Sequence, residues 1–337
     1  MTAGSDGSMM NGPPLIAGVT TGTVGFAGGG GKGLDPPVLV TSVAELEALA
    51  GAVPAALGRM VHGFFANGGT RAYIAGTLAA LEAIDEVALL CPLPEESGDA
   101  IGQCERRRDR VAILSLPAGL GSVASALAAR PSEISAFAAV HHPWVWAGGE
   151  LTPPGGHVAG MYASGEVGGS PGGREIRGLD DPPLELSLSA SDIEVLAAGG
   201  VNPLRDLRAV DRGVRLWSAR TLDPDLEHRP LPVQRLRIFL ETSIARGLAW
   251  VAVECSGEAL WARVREVVAT FLLDQWRAGR LQGRAPDEAY FVRCDRSTMT
   301  QQDLDEGRLV CLIGVAPVRP AEFVIFRIGQ WTAGRCD

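Results

Sequence analysis

Residue patterns that could perform chemistry are present in this sequence, but each fails at a required position. A serine hydrolase of the α/β type needs G-x-S-x-G, which occurs nowhere. A phosphate-binding loop needs G-x-x-x-x-G-K-[ST], but in GGGGKG at 28–33 Phe26 stands where the first glycine belongs, and Gly33 follows Lys32 where a hydroxyl belongs. The glycine-rich runs at 22–33 and 148–173 lack the G-x-G-x-x-G spacing of a dinucleotide site. These runs predict turns and loops.

A protease triad fails the same test. The segment PGGHVAG at 154–160 is similar to H-G-T-H-V-A-G, the histidine motif of subtilisin-type proteases. Pro154 occupies the position of the catalytic histidine, and no G-T-S-M-A serine motif exists. The base and the nucleophile are both missing, so we expect no protease activity.

The histidines and carboxylates predict no metal site. His141 and His142 are adjacent, so on a strand they point to opposite faces. The other three histidines have no partner at i+2 or i+4: His62, His157 and His228. The acidic clusters at 180–181 and 303–306 read as solvated surface. We therefore expect no catalytic residue, no metal and no cofactor.

Composition restricts the partners. The chain has 337 residues and a net charge of −9, so it lacks the basic excess that nucleic-acid binding needs. No apolar run is long enough to span a membrane. The six cysteines form no C-x-x-C pair, which predicts reduced thiols and a cytoplasmic place of assembly. Of the 30 basic residues all but Lys32 are arginine, and arginine suits protein–protein surfaces.

The first two thirds of the chain predict an α/β domain. Residues 1–14 read as a flexible leader, and 15–225 alternate strands with short helices, which predicts a layered α/β domain with a largely parallel sheet. Residues 148–186 hold 11 glycines and 5 prolines and are predicted to form a surface excursion rather than core. The predicted strands are 15–27, 70–76, 86–91, 110–116, 134–140 and 213–219, and the predicted helices are 41–50, 77–84, 121–130 and 192–198.

The last third, 226–332, predicts an α+β domain, followed by a tail at 333–337. Its strongest element is an amphipathic helix at 258–278, where Leu260, Val264 and Phe271 belong to one apolar stripe. The other predicted elements are a helix at 232–246 and strands at 248–254, 289–294, 308–315 and 322–328.

Long motifs in order along the chain carry a family resemblance. They include GRMVHGFFANGGTRAYIAG at 58–76, HHPWVW at 141–146, and EAYFVRCDRSTMTQQDLDEGRLVCLIGVAPVRPAEFVIFRIGQW at 288–331. Over about residues 15–332 the sequence resembles the tail sheath proteins of contractile phages and phage-like contractile injection systems. The resemblance implies a structural role rather than an enzyme, and a subtilisin-like domain without a triad.

The resemblance also implies an assembly and partners. Sheath subunits stack as rings of six around an inner tube, exchange terminal strands with neighbours, and contract to drive the tube through a target envelope. The implied partners are other sheath subunits, the inner tube protein and baseplate subunits, within a phage tail or injection particle. The strand-rich segment EFVIFRI predicts the assembly residues: Glu322, Phe323, Val324, Ile325, Phe326, Arg327 and Ile328. Proline at Val324 or Phe326 is expected to block assembly more than folding.

Charged residues of the same third are the candidates for facing the tube. They lie on the predicted helix at 258–278 and in the polar turn at 300–308: Arg263, Glu266, Asp274, Arg277, Asp303, Asp305 and Arg308. Exposed ion pairs contribute little each, which suits a surface that must hold the tube and then release it.

Two departures from the family pattern leave a second role open. The family's P-G-V-Y-V-E-E-like arm has no match in the leader, and 164–183 replaces the family's usual charged stretch. A short sheath-like accessory subunit at the baseplate or the distal end is therefore an alternative to the main sheath subunit. Outside this family, the alternatives are an α/β enzyme that binds a phosphorylated ligand and a binding module unrelated to tails.

Overall fold

The chain divides into two compact units. The computed structural model describes residues 15–30, 33–49, 51–225, 227–317 and 323–334. One unit, here called the N-terminal unit, is Val19–Phe239. The other, the C-terminal unit, joins the residues up to Gly18 to those from Leu240 onward. The predicted leader at 1–14, Lys32 and Glu322 lie outside the described residues.

The N-terminal unit is built on an eight-stranded sheet. The strands of this unit are β1 (Val24–Ala27), β2 (Val38–Val40), β3 (Ala72–Ala75), β4 (Leu89–Pro92), β5 (Val111–Ser115), β6 (Ala138–His142), β7 (Val145–Ala147), β8 (Glu150–Thr152), β9 (Val201–Asp206) and β10 (Val214–Leu216). All of them belong to the eight-stranded sheet except β7 and β8, which form a separate two-stranded hairpin. The spatial order is β10-β9-β6-β5-β4-β1-β3-β2. The six inner strands are parallel, and only β10 and β2 are antiparallel to their neighbours. The predicted α/β class with a largely parallel sheet is confirmed.

Short helices connect these strands, and several begin at a capping side chain. They are α1 (Val43–Ala48), α2 (Ala55–Ala66), α3 (Leu78–Glu82), α4 (Ser97–Arg107), α5 (Val123–Ala128), α6 (Gly155–Ala163) and α7 (Ala190–Ala198), with 3-10 turns at Pro94–Glu96 and Arg208–Val210. Ser42 caps α1 by accepting a hydrogen bond from the Glu45 amide, and Thr77 caps α3 in the same way. A side-chain cap satisfies an amide that the helix itself leaves unpaired. The strands β1, β4, β5 and β6 are buried throughout, as parallel strands between helical layers must be.

The predicted surface excursion at 148–186 is wrong over its first half. This stretch holds the β8 strand and the nine-residue helix α6, in which every residue from Gly155 to Tyr162 is buried. The glycines of α6 permit close packing on α2 rather than a loop. A Cβ atom at Gly160 would stand 2.3 Å from the Phe64 carbonyl oxygen, so no larger residue fits.

The C-terminal unit contains one long helix and a three-stranded antiparallel sheet. The helix α8 (Leu231–Gly247) contains the boundary between the units. It is followed by α9 (Glu258–Arg277), α10 (Pro286–Ala289), β11 (Tyr290–Arg293), α11 (Gln301–Asp305), β12 (Arg308–Val315) and β13 (Val324–Trp331). The sheet order is β11-β12-β13. The predicted strand at 248–254 is wrong, because Ala249–Val253 forms a 3-10 helix that begins two residues after α8.

Candidate assembly site

The strand β13 lies at one edge of the C-terminal sheet. It pairs with β12 along its whole length, from Val324 opposite Val315 to Trp331 opposite Arg308. In the part of the chain that the structure describes, no strand pairs with its other side. An edge of this kind presents unpaired amide and carbonyl groups that another chain can extend.

The register shows which backbone groups of β13 face outward. The Thr332 amide donates to the Gly307 carbonyl at 2.9 Å, so this pair is of the hydrogen-bonded type. Pairs alternate between bonded and non-bonded types along an antiparallel ladder. Val324, Phe326 and Ile328 therefore direct their amides toward β12. The backbone groups that face away from β12 belong to the alternate residues of the strand: Ile325, Arg327, Gly329 and Trp331.

The side chains of β13 alternate between a buried face and an exposed face. Phe326 and Ile328 are buried on the inner face, opposite Ile313 and Cys311 of β12. The opposite face is solvated and carries two large apolar side chains, Ile325 at 53% exposed and Trp331 at 59%. These two side chains beside an open edge make this face a candidate association surface.

The predicted assembly segment therefore falls on one structural feature. Val324 to Ile328 form the first five residues of β13, and Phe323 precedes them with its ring edge-on to that of Phe291, at 5.2 Å between centroids. Glu322 lies outside the described residues. Whether these residues join subunits stays a prediction.

The charged residues predicted for the tube surface on α9 differ in how they are paired. Arg263 contacts Glu254 at 3.3 Å and stacks over the Trp250 ring at 4.4 Å. Asp274 and Arg277 approach each other at 3.8 Å, and both are exposed. Glu266 is exposed, and within the described ranges its carboxylate contacts no basic group. Of the α9 candidates, Glu266 is the one whose charge is most available to a partner.

The charged candidates around α11 differ in whether their charges are paired inside the subunit or exposed. The Asp303 carboxylate accepts hydrogen bonds from the hydroxyl and amide of Thr300, at 2.7 and 2.8 Å, and from Arg308. The hydrogen bonds from Thr300, followed by that from Arg308, lower the pKa of Asp303 to about 2. Asp303 is buried and its charge is neutralised by Arg308 inside the subunit. Asp305 is exposed, and among the described residues its carboxylate accepts a hydrogen bond only from Gln301. The polar turn predicted here contains the short helix α11.

Groups that could act as an active site meet at the carboxyl ends of β4, β5 and β6 but are covered. The Gly155 amide at the start of α6 donates to the Ser115 hydroxyl at 3.0 Å, and a Cβ atom at Gly155 would stand 3.0 Å from the Cys91 sulfur. Burial raises the pKa of the Cys91 thiol far above its ordinary value, so it is not a nucleophile. Burial also lowers the pKa of His141 to about 4, and its Nδ1 lies 3.1 Å from the Leu114 carbonyl oxygen, not near a hydroxyl.

Two further site types are absent from the described residues. No group of three or more histidine, cysteine or acidic side chains is arranged to hold a metal ion. No helix in those ranges is both long enough and apolar enough to cross a membrane.

Comparisons with known proteins identify the relatives of this fold. No known family profile and no curated protein sequence matches the chain. The chain superposes on the contracted sheath of PVC, an extracellular contractile injection system, with a TM-score of 0.81 and 26% identity over 99% of this chain and 98% of that one. It superposes on the contracted helical sheath of the anti-feeding prophage (AFP) with a TM-score of 0.76 and 26% identity, over 99% and 98% of the two chains.

The chain is a structural relative of the tail sheath proteins over nearly its whole length. The motif resemblance predicted this family, and the prediction is confirmed. A more distant relative, the sheath tail protein from Desulfitobacterium hafniense, shares the fold with a TM-score of 0.70 and 10% identity, over 95% of this chain and 98% of that one.

Two properties of the sheath subunit escaped the sequence analysis. One is the set of β13 residues whose amides face the open edge of the sheet. The alternation of apolar and polar residues shows which side chains are buried, but it does not show which amides point away from β12. The other is the use of Asp303 as a cap. The pattern T-x-x-D at 300–303 is a capping-box spacing and was available in the sequence.

Proposed function

We propose that this sheath subunit polymerises into stacked rings around an inner tube and contracts to drive that tube through a target envelope. The observation that carries the proposal is the outer edge of β13, where Ile325, Arg327, Gly329 and Trp331 direct backbone groups away from their own sheet. A strand from a neighbouring subunit that pairs there satisfies these groups with main-chain hydrogen bonds. Such a joint links subunits while each one moves as a rigid body.

The finer architecture belongs to the same proposal. Residues 15–225 form the subtilisin-like sheath domain without a triad, and 226–332 form the C-terminal sheath domain. The buried Ser115 and Cys91 support a role without catalysis, since neither has the adjacent base that a nucleophile needs. Contraction then draws on free energy stored during assembly, and the subunit uses no cofactor.

The partners follow from the position of the subunit in such a particle. Other sheath subunits bind at β13, the inner tube protein binds the exposed charges of α9 and α11, and baseplate subunits bind the terminal ring. The particle assembles in the cytoplasm. The likeness to the sheath of PVC, an extracellular contractile injection system, supports a place in an injection particle.

Electron microscopy of the purified subunit tests the proposal. We expect rings or tubular helical polymers at high protein concentration. The proposal is contradicted if the subunit stays monomeric both when purified and in a lysate of the cells that make the particle. A subunit that binds a second sheath protein but never itself favours the accessory role at the baseplate or distal end.

A further inference from the structure

Two arginines face solvent in one cross-strand row of the C-terminal sheet. Arg293 of β11 pairs with Leu312 of β12, and Leu312 pairs with Arg327 of β13. Residues directly opposite each other in an antiparallel sheet share a face. Both guanidinium groups therefore stand on the outer face with one apolar side chain between them. We call Arg293, Leu312 and Arg327 the arginine row, whose two arginines lie about 10 Å apart at the backbone.

The charges of this row are not neutralised within the described part of the subunit. Arg293 stacks over the Phe291 ring at 5.4 Å, and neither Arg293 nor Arg327 forms an ion pair there. A groove of about 530 Å³ runs across the row, and its third arginine, Arg308, is already paired with Asp303. Asp295 lies near Arg293, but its carboxylate accepts hydrogen bonds from Ser297 instead. The groove thus carries a net positive charge.

A glycine in the floor of the groove has no purpose in the subunit's own fold. Gly329 lies inside β13 opposite Val310, with an ordinary strand backbone. A Cβ atom there would meet nothing within 4 Å. Glycine weakens the interior of a strand, and one that neither backbone geometry nor crowding requires marks a place where another chain approaches closely.

An acidic cluster on the N-terminal unit has the complementary charge. Glu95 and Glu96 lie in the 3-10 turn before α4, and Asp99 lies in its first turn. Burial, and after it the charges of Glu95 and Asp99, raises the pKa of Glu96. None of the three carboxylates forms an ion pair with a described basic residue. A positively charged surface that binds here would therefore stabilise the charged form of all three carboxylates.

We propose that the arginine row is an interface between copies of this chain, and that it receives the Glu95, Glu96 and Asp99 cluster of a second copy. The carboxylates lie against Arg293 and Arg327, and the absent side chain at Gly329 admits the approaching backbone. The inference rests on the proposed function, because it assigns a second contact within the same polymer. This contact uses side chains of the sheet face, whereas the β13 joint uses the backbone of the sheet edge.

A charge swap tests this contact. Arg293→Glu with Arg327→Glu places two new carboxylates against the three of the cluster, and we expect the protein concentration needed for polymers to rise by about tenfold or more. Adding Glu95→Arg and Asp99→Arg in the same chain reverses both surfaces, and polymers are expected to return to within about threefold of the wild-type concentration. Arg212→Glu with Arg284→Glu is the matched control, since both arginines are exposed and the net charge change is equal.

Each outcome separates this inference from the proposed function. Wild-type polymers together with normal assembly of the Arg293→Glu, Arg327→Glu variant overturn the inference alone. If the two arginine substitutions abolish assembly, the added Glu95→Arg and Asp99→Arg do not restore it, and circular dichroism shows a folded chain, then the acidic cluster is not what binds the arginine row. Absence of polymers from the wild-type chain overturns the proposed function itself.

Gly329→Val gives an independent readout without any change of charge. The side chain enters open space, so the melting temperature of the monomer is expected to hold or rise, while assembly weakens because the groove floor is filled. Gly121→Val is the control, since a Cβ atom there also meets nothing within 4 Å. Unchanged assembly of Gly329→Val contradicts a close approach at this face.

Discussion

Gly156 of α6 lies so close to Met60 of α2 that a Cβ atom at Gly156 would stand 2.0 Å from the Met60 carbonyl oxygen. One turn later, Gly160 stands in the same relation to Phe64. Two glycines on one face of α6 thus let the two helix backbones approach directly. This packing covers the carboxyl ends of β4 and β5, where a related architecture could hold an active site.

Replacing Gly156 by alanine is expected to destabilise the N-terminal unit. The added methyl group must displace backbone atoms of α2, which costs about 1–3 kcal/mol of the free energy of unfolding. Urea unfolding followed by circular dichroism measures this loss. Gly102→Ala in α4 is the control, because only the flexible end of Arg106 lies near, and a helical alanine there stabilises by about 0.5–1 kcal/mol. Equal stability of both variants would contradict the close packing.

The fold was predictable where one local signal dominated. Buried strands such as Val111–Ser115 and the long stripe of α9 were found because apolar residues follow one another or recur at helical spacing. The helix α6 was not found, since the same glycines that allow helix-to-helix contact also signal turns in a single sequence. Only the position of α2, set by tertiary packing, distinguishes the two readings.

The two kinds of amide on β13 predict opposite effects of proline. Proline at Ile325 removes an outward donor, so the subunit is expected to fold while assembly fails. Proline at Phe326 removes a donor to Ile313 and a buried ring, so the subunit itself is expected to unfold at a lower temperature. The expectation that proline at Val324 or Phe326 spares folding does not fit this register.

Melting temperature and electron microscopy of each variant distinguish these effects. Ile325→Thr is the matched control, because it removes the apolar side chain and keeps the amide. Polymers formed by Ile325→Pro at wild-type concentration would rule out strand addition at this edge. The segment as a whole was predictable from its composition, but the choice of Ile325 over Phe326 needed the register.

Three buried histidines predict a loss of stability in mild acid. Burial lowers the pKa of His141, His142 and His157 to about 4, against an ordinary value of 6.5. The unfolded chain therefore takes up protons before the folded one does. Stability is complete above about pH 6.5 and falls as the pH drops from there toward about 4.

The urea midpoint measured between about pH 7.5 and 4.5 checks this dependence. His142→Leu is expected to flatten the curve, because it removes one of the protons taken up on unfolding. His62→Gln, which replaces an exposed imidazole, is the matched control variant. A midpoint that does not vary over this range would contradict the buried neutral state of the three side chains.

Glu266 provides the sharpest test of the predicted tube surface. It lies on the exposed stripe of α9, and its carboxylate meets no basic group among the described residues, so Glu266→Arg reverses a charge without breaking an ion pair. We expect the melting temperature to hold and co-sedimentation with the tube protein to fall by about tenfold, since reversing a charge that meets a complementary one costs more than losing it. Glu194→Arg, on the exposed face of α7, is the control for net charge. Equal tube binding by Glu266→Arg and Glu194→Arg would place the tube elsewhere than on α9.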